Sequence, residues 1–119
     1  MTGSAYWPSL DGAILFLEEV NEYVYRCDRM LGTLKLAGAL EPVAGVVVGA
    51  FTDCTLGDGK FGTLTLDEMF DDYFEPLNVP VYTGASFGHI RPKFTLPVGL
   101  PVEMDADAGT IPFLQPAVT

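Results

Sequence analysis

The sequence predicts an α/β domain: a mostly parallel sheet with helices packed on it, followed by a small antiparallel sheet. Three observations carry this. Apolar runs of strand length at Ala13–Leu17, at Val46-Val47-Val48 within Ala44 to Phe51, and at Val79 to Tyr82 alternate with two stretches of helical periodicity. The first two runs are continuous rather than alternating, as in strands covered on both faces. After the third, the chain breaks into short extended pieces separated by Gly, Pro and Asp. An order of β-α-β-α-β and then short strands gives this layered arrangement.

Taken in order, Asp11-Gly12 is a turn and Ala13-Ile14-Leu15-Phe16-Leu17 the first strand. The acidic residues Glu18, Glu19 and Glu22 suit the first turn of a helix, where unpaired N–H groups and the positive dipole end favour carboxylates. Val24, Cys27, Leu31 and Leu34 then recur at helical spacing, and Gly38 is placed to close the helix in a left-handed cap. The second strand is rich in β-branched valine. Asp53 to Gly62 supplies turn chemistry. Thr65-Leu66-Asp67-Glu68 matches a capping box, and Leu66, Met69, Phe70, Tyr73 and Phe74 form the stripe behind it until Pro76 ends the helix. Pro80 puts the third strand at an edge or its own start. Gly84 to His89 is a loop. Phe94–Val98, Val102–Met104 and Thr110–Leu114 are the short segments of the antiparallel part.

The chain has 119 residues, 49% of them hydrophobic, enough for one domain that hides roughly two thirds of its unfolded surface. No internal repeat or low-complexity tract interrupts it. A formal charge of -10 repels a phosphate backbone, which argues against nucleic acid and anionic membrane as partners. No apolar run approaches the ~20 residues of a membrane-spanning helix. Met1-Thr2-Gly3-Ser4 has no basic segment leading into an apolar one, so a signal peptide is not expected. Two cysteines, Cys27 and Cys54, are too few for a disulfide scaffold and lack zinc-site spacing; they read as reduced structural thiols.

The single histidine, His89, lies in the loop after the third strand, and Glu18 stands at the end of the first. Loops at the carboxyl ends of parallel strands gather functional residues. A carboxylate beside an imidazole there is the orienter and base of a nucleophilic site. The plainer alternative is a surface histidine and a helix-capping glutamate, which position alone favours. A nucleophile is hard to find: Ser4 and Ser9 precede the first strand, Ser86 shares a loop with His89, and none stands in a strand-to-helix elbow. Either the pair is without function or the hydroxyl belongs to another domain. Gly57-x-Gly59-x-x-Gly62 matches the dinucleotide fingerprint as a string only, lacking the strand directly before it, and reads as a turn. Asp53 and Asp58 do not space as a calcium loop, and Asp67, Glu68, Asp71, Asp72 and Glu75 read as a solvated helix face. One histidine without a second nitrogen or sulfur ligand in register argues against a metal site at His89.

Several of these segments match a known pattern. Gly12-Ala13-Ile14-Leu15-Phe16-Leu17-Glu18-Glu19-Val20-Asn21-Glu22, followed by Tyr25-Arg26-Cys27-Asp28-Arg29-Met30-Leu31, closely resembles the C-terminal half of the LD-carboxypeptidases, the muramoyl-tetrapeptide carboxypeptidases of bacterial peptidoglycan recycling. Val46 to Phe51 is similar to the family's next strand, Gly84 to His89 to its glycine-histidine loop, and Leu96-Pro97-Val98-Gly99 to the segment that follows. The resemblance runs from about Gly12 to Pro116. Cys27 departs from it, standing where an aliphatic residue is usual.

The resemblance implies a swivelling β/β/α-type domain and a cytoplasmic serine hydrolase with a Ser-Glu-His triad, working without metal or other cofactor. Glu18 then resembles the triad glutamate and His89 the triad histidine. The family's nucleophilic serine and oxyanion donors lie on an N-terminal domain to which nothing here corresponds, so residues 1–11 read as a remnant of the inter-domain linker and 12–119 as the C-terminal domain. Its partners would be that N-terminal nucleophile domain, a murein peptide as substrate and, as in many members, a second copy of the intact enzyme in a homodimer. The reaction implied is release of the terminal D-alanine from a murein tetrapeptide; the chain alone would lack the nucleophile. A related branch hydrolyses a peptide-nucleotide antibiotic as self-immunity, and a binding domain that keeps the fold without the chemistry is the third reading. Arg91, two residues past His89, is the nearest cation in sequence for a substrate carboxylate, although an exposed arginine with no such role is the commoner case.

Overall fold

The computed structural model describes residues 2–57 and 64–118. The apolar runs form β1 (Ile14–Val20), β2 (Gly45–Thr52) and β3 (Val81–Tyr82), hydrogen-bonded in the order β1-β2-β3 and parallel throughout. Parallel neighbours need a crossover rather than a tight turn. Helices α1 (Val24–Leu36) and α2 (Leu66–Phe74) supply the two crossovers. Side chains alternate between faces along a strand. One face of the sheet, with Leu15, Leu17, Val46, Val48 and Val81, forms a single core with Val24, Cys27 and Leu31 of α1 and Met69, Phe70 and Phe74 of α2. The opposite face is covered by the chain after β3: the Phe87 ring meets the Phe16 ring at 5.5 Å, and Met104 lies against Gly45. Burial on both faces is why β2 reads as a run of valines.

The helix signals hold at residue level. The last turn of α1 closes in a Schellman motif, with Gly38 at φ 67°, its N–H bonded to Lys35 O, and the Ala39 N–H bonded to Leu34 O at 2.9 Å. Thr65 and Glu68 form the reciprocal capping box of α2: Thr65 N–H donates to Glu68 Oε2 at 2.8 Å and Glu68 N–H to Thr65 Oγ1 at 3.2 Å. The two helices are tied by the Tyr73 hydroxyl, 3.0 Å from both Asp28 O and Asp28 Oδ1. A Cβ on Gly32 would come within 3.0 Å of that hydroxyl, so the glycine permits the approach. Full burial of Met69, Phe70 and Phe74 contributes about 1.5–3 kcal/mol each before entropy is counted.

Two expectations are corrected. Glu18 and Glu19 do not open a helix; β1 continues through them to Val20, and α1 starts at Val24 with no acidic residue in its first turn. The ladder with β2 outweighs the local preference of carboxylates for a helix start. The Glu19 carboxylate instead accepts the Val20 N–H at 2.8 Å. The antiparallel part is a hairpin held by two isolated bridges, Val102↔Phe113 and Asp105↔Thr110, while Phe94–Val98 joins no strand. Pro97, Pro101 and Pro112 lack the N–H that a continuous ladder requires. Of the Gly57–Gly62 turn, only Gly57 falls within the described residues.

Candidate active site

Glu18 is carried near the carboxyl end of β1, at a break in register. Leu17 pairs with Val48, but Glu19 pairs with Phe51, so Glu18 stands opposite two residues of β2, Gly49 and Ala50. Such an extra residue is a bulge, and bulges re-aim the side chains around them. The chain after β3 continues along the other edge of β2: Ala85 N–H donates to Val48 O at 3.1 Å, and Ala50 N–H to Phe87 O at 2.9 Å. Phe87 is 9% exposed and lies directly on Gly49, where a Cβ would be 2.7 Å from the ring. Gly88 follows at φ 107°, in space where a Cβ would stand 3.1 Å from Glu18 Oε2 and 3.2 Å from Ala50 O. This close passage over the bulge delivers the next residue, His89, to the carboxylate on β1.

His89 Nδ1 lies 3.0 Å from Glu18 Oε2. A carboxylate can only accept, so the neutral imidazole carries its proton on Nδ1 and leaves the Nε2 lone pair free. Among the described residues Nε2 has no partner. Side-chain exposures of 59% for His89 and 35% for Glu18 keep the pair open to a reactant on the surface. An imidazole held in this tautomer by a carboxylate can take a proton from a hydroxyl and stabilise the charge it then bears.

The other residues weighed from sequence are not gathered there. Ser4 Oγ accepts the Tyr6 N–H and Ser9 Oγ the Asp11 N–H, each at 3.3 Å, in local turns before β1. Ser86 is exposed in the loop ahead of Phe87. Arg91 is exposed two residues beyond His89, before the cis bond to Pro92. Cys27 is buried and free, with burial foremost and the neighbouring Cys54 next pushing its thiol up to about 12, which makes it an inert group in the core. Among the described residues no group of three or more His, Cys, Asp or Glu side chains is placed to hold a metal ion, and no helix is long and apolar enough to cross a membrane. A hollow of about 330 Å³ reaches Glu18 and is otherwise lined by residues such as Leu17, Met30, Leu34 and Phe51. A second, of about 590 Å³, is lined by Phe16, Phe87 and Phe113 among others and touches neither member of the pair. Gly49 and Phe87 position the pair without bearing its chemistry, and residue type alone does not single them out. A glycine inside a valine-rich strand was the available signal, since it marks a bulge or a close approach.

The chain is similar to several known proteins along most of its length. The chain is 38% identical over 112 residues to a putative carboxypeptidase of Synechocystis sp., covering 94% of this chain and 37% of that protein. It is 30% identical over 108 residues to the microcin C7 self-immunity protein MccF of Escherichia coli, covering 88% of this chain and 30% of that one. The crystal structure of a muramoyltetrapeptide carboxypeptidase from Oxalobacter formigenes superposes with a TM-score of 0.80 at 37% identity, over 93% of this chain and 39% of that one. The chain thus spans about a third of the length of these relatives. A family model described as the LD-carboxypeptidase C-terminal domain matches residues 1–104. With a family model over most of its length, relatives above 30% identity across it and the same fold, the chain belongs to the LD-carboxypeptidase family and represents its C-terminal domain.

Proposed function

We propose that this chain supplies the base and its orienter to a serine-type LD-carboxypeptidase, which releases the terminal D-alanine of a murein tetrapeptide during peptidoglycan recycling in the cytoplasm. The observation that carries this reading is the 3.0 Å contact of His89 Nδ1 with Glu18 Oε2 at the open carboxyl end of the sheet. His89 Nε2 takes the proton of a serine hydroxyl borne by an upstream domain, and the serine oxygen attacks the scissile carbonyl. The imidazolium, stabilised by Glu18, returns the proton to the amine of the departing D-alanine. Water then repeats the cycle on the acyl-enzyme, and the serine is regenerated. Arg91 offers a guanidinium near His89 in sequence for the carboxylate of the terminal residue.

The test is D-alanine release from a murein tetrapeptide by this chain alone and by the chain joined to an upstream nucleophile domain of the family. Release by the joined protein only is the expected result. Release by the chain alone would place the nucleophile here, at Ser86, and overturn the division of the triad. A second reading rests on the likeness to MccF, which has been crystallised with aspartyl sulfamoyl adenosine. The same pair would then serve hydrolysis of an aminoacyl-nucleotide. Higher identity to the Oxalobacter carboxypeptidase than to the MccF structures, 37% against 25%, favours the murein substrate. Offering both substrates to the joined protein separates the two.

A further inference from the structure

The placement of His89 depends on a contact that does not touch the reacting atoms. His89 follows a loop that is not part of a strand, and its imidazole is mostly exposed. Among the described residues, Glu18 is the hydrogen-bond partner of the ring. What is fixed is the residue two positions earlier. Phe87 is buried, its ring packed edge-on against Phe16 at 5.5 Å and seated on the bare backbone of Gly49 in the β2 bulge. Its carbonyl accepts the Ala50 N–H at 2.9 Å, and its own N–H donates to Ala85 O at 2.8 Å. One residue, Gly88, separates this anchor from the histidine, and it is packed between Ala50 O and the Glu18 side chain.

We infer that Phe87 is the positioning residue of the pair: its ring, seated on Gly49, sets the height of the loop over β2 and so holds His89 Nδ1 within hydrogen-bond reach of Glu18. This rests on the reading of Glu18 and His89 as base and orienter, and it assigns the precision of that pair to the opposite face of the sheet from the helical core. Removing the ring frees the loop. Adding a methyl at position 49 lifts the ring, since the new carbon would sit 2.7 Å from it. Both changes act on His89 without altering either member of the pair.

The single histidine makes the test direct, because a nitrogen-labelled sample gives one imidazole spin system. With the ring neutral, the wild-type chain shows a protonated Nδ1 and an unprotonated Nε2. F87A and G49A lose this preference and show a mixture of tautomers, while F87L restores most of it. F70L, a milder trim of the helix-side core, leaves the tautomer in place. Joined to the upstream domain, F87A lowers kcat by up to about 100-fold with KM within about twofold, as expected when a reacting group is misplaced by an ångström. The inference is overturned if folded F87A and G49A keep the wild-type tautomer, or if F70L shifts it equally. Should F87A fail to fold, G49A decides alone. A wild-type chain without the Nδ1–H tautomer would instead remove the Glu18–His89 reading itself, and with it this inference.

Discussion

His89 Nδ1 and Glu18 Oε2 meet at 3.0 Å although they stand 71 positions apart in the chain. The two come from the same end of the sheet, Glu18 from the last three residues of β1 and His89 from the loop after β3, and the bulge in β2 lets one pass over to the other. Because the carboxylate dictates which nitrogen holds the proton, E18Q offers an amide that can present either a donor or an acceptor. In the chain joined to an upstream nucleophile domain of the family, the proposed role of Glu18 predicts that E18Q lowers kcat by about 10⁴-fold, as the matching change does in a Ser-His-Asp triad. Single-turnover rates measure it, and a loss below tenfold would mean that Glu18 does not orient the base.

G88A tests the passage over the bulge. Gly88 has φ 107°, where side chains are strained, and the added carbon would press on Glu18 and Ala50. The cost is expected at about 1–3 kcal/mol of stability, measured by urea unfolding. The Nδ1–H tautomer of His89 should be lost with it.

The capping box of α2 lies far along the chain from the pair and separates stability from chemistry. T65A removes the oxygen that accepts the Glu68 N–H and should lower stability by about 1 kcal/mol. The hydrogen bonds from Thr65 hold the Glu68 carboxyl below its ordinary value, so its stabilising part is present above that ordinary value and is lost as pH falls through the lowered one. The backbone N–H of residue 65, the larger cause, survives in T65A, so the variant should make the acid limb of the stability profile shallower only in part, while leaving the His89 tautomer unchanged.

At the alkaline end the sign is opposite. Cys27 ionises at about 12 in the fold instead of the ordinary 9.0, chiefly through burial. Above pH 9.0 the unfolded chain loses that proton first, so stability falls as pH rises toward 12. Tyr73, raised by burial and by its bond to Asp28, adds to the same slope. C27A should remove part of the decline between these limits, as read from melting temperature against pH. An unchanged slope would show that the thiol is not held neutral by the core.

Much of this was legible in the residues because each rule acts locally. The Thr65–Glu68 spacing, the Gly38 stop and the valine run of β2 each depend on a few neighbours, and each took the expected form. Glu18 and Glu19 were misread as a helix start because pairing with β2, a partner some thirty residues away, decides the length of β1. The antiparallel sheet shrank to two bridges where prolines removed the donors, a cost that composition shows but does not rank against pairing. Glu18 and His89 were visible as residue types at strand ends. Their union was not, since it depends on the bulge at Gly49 and on Phe87 filling the space that glycine leaves.

The central claim is that His89 is the general base of a carboxypeptidase whose nucleophile lies upstream. The most direct test is the rate of D-alanine release from a murein tetrapeptide by the joined protein, with and without H89A, at matched folding. The account predicts a loss of several orders of magnitude in kcat with the fold intact. A variant within a few-fold of the unaltered protein would contradict it.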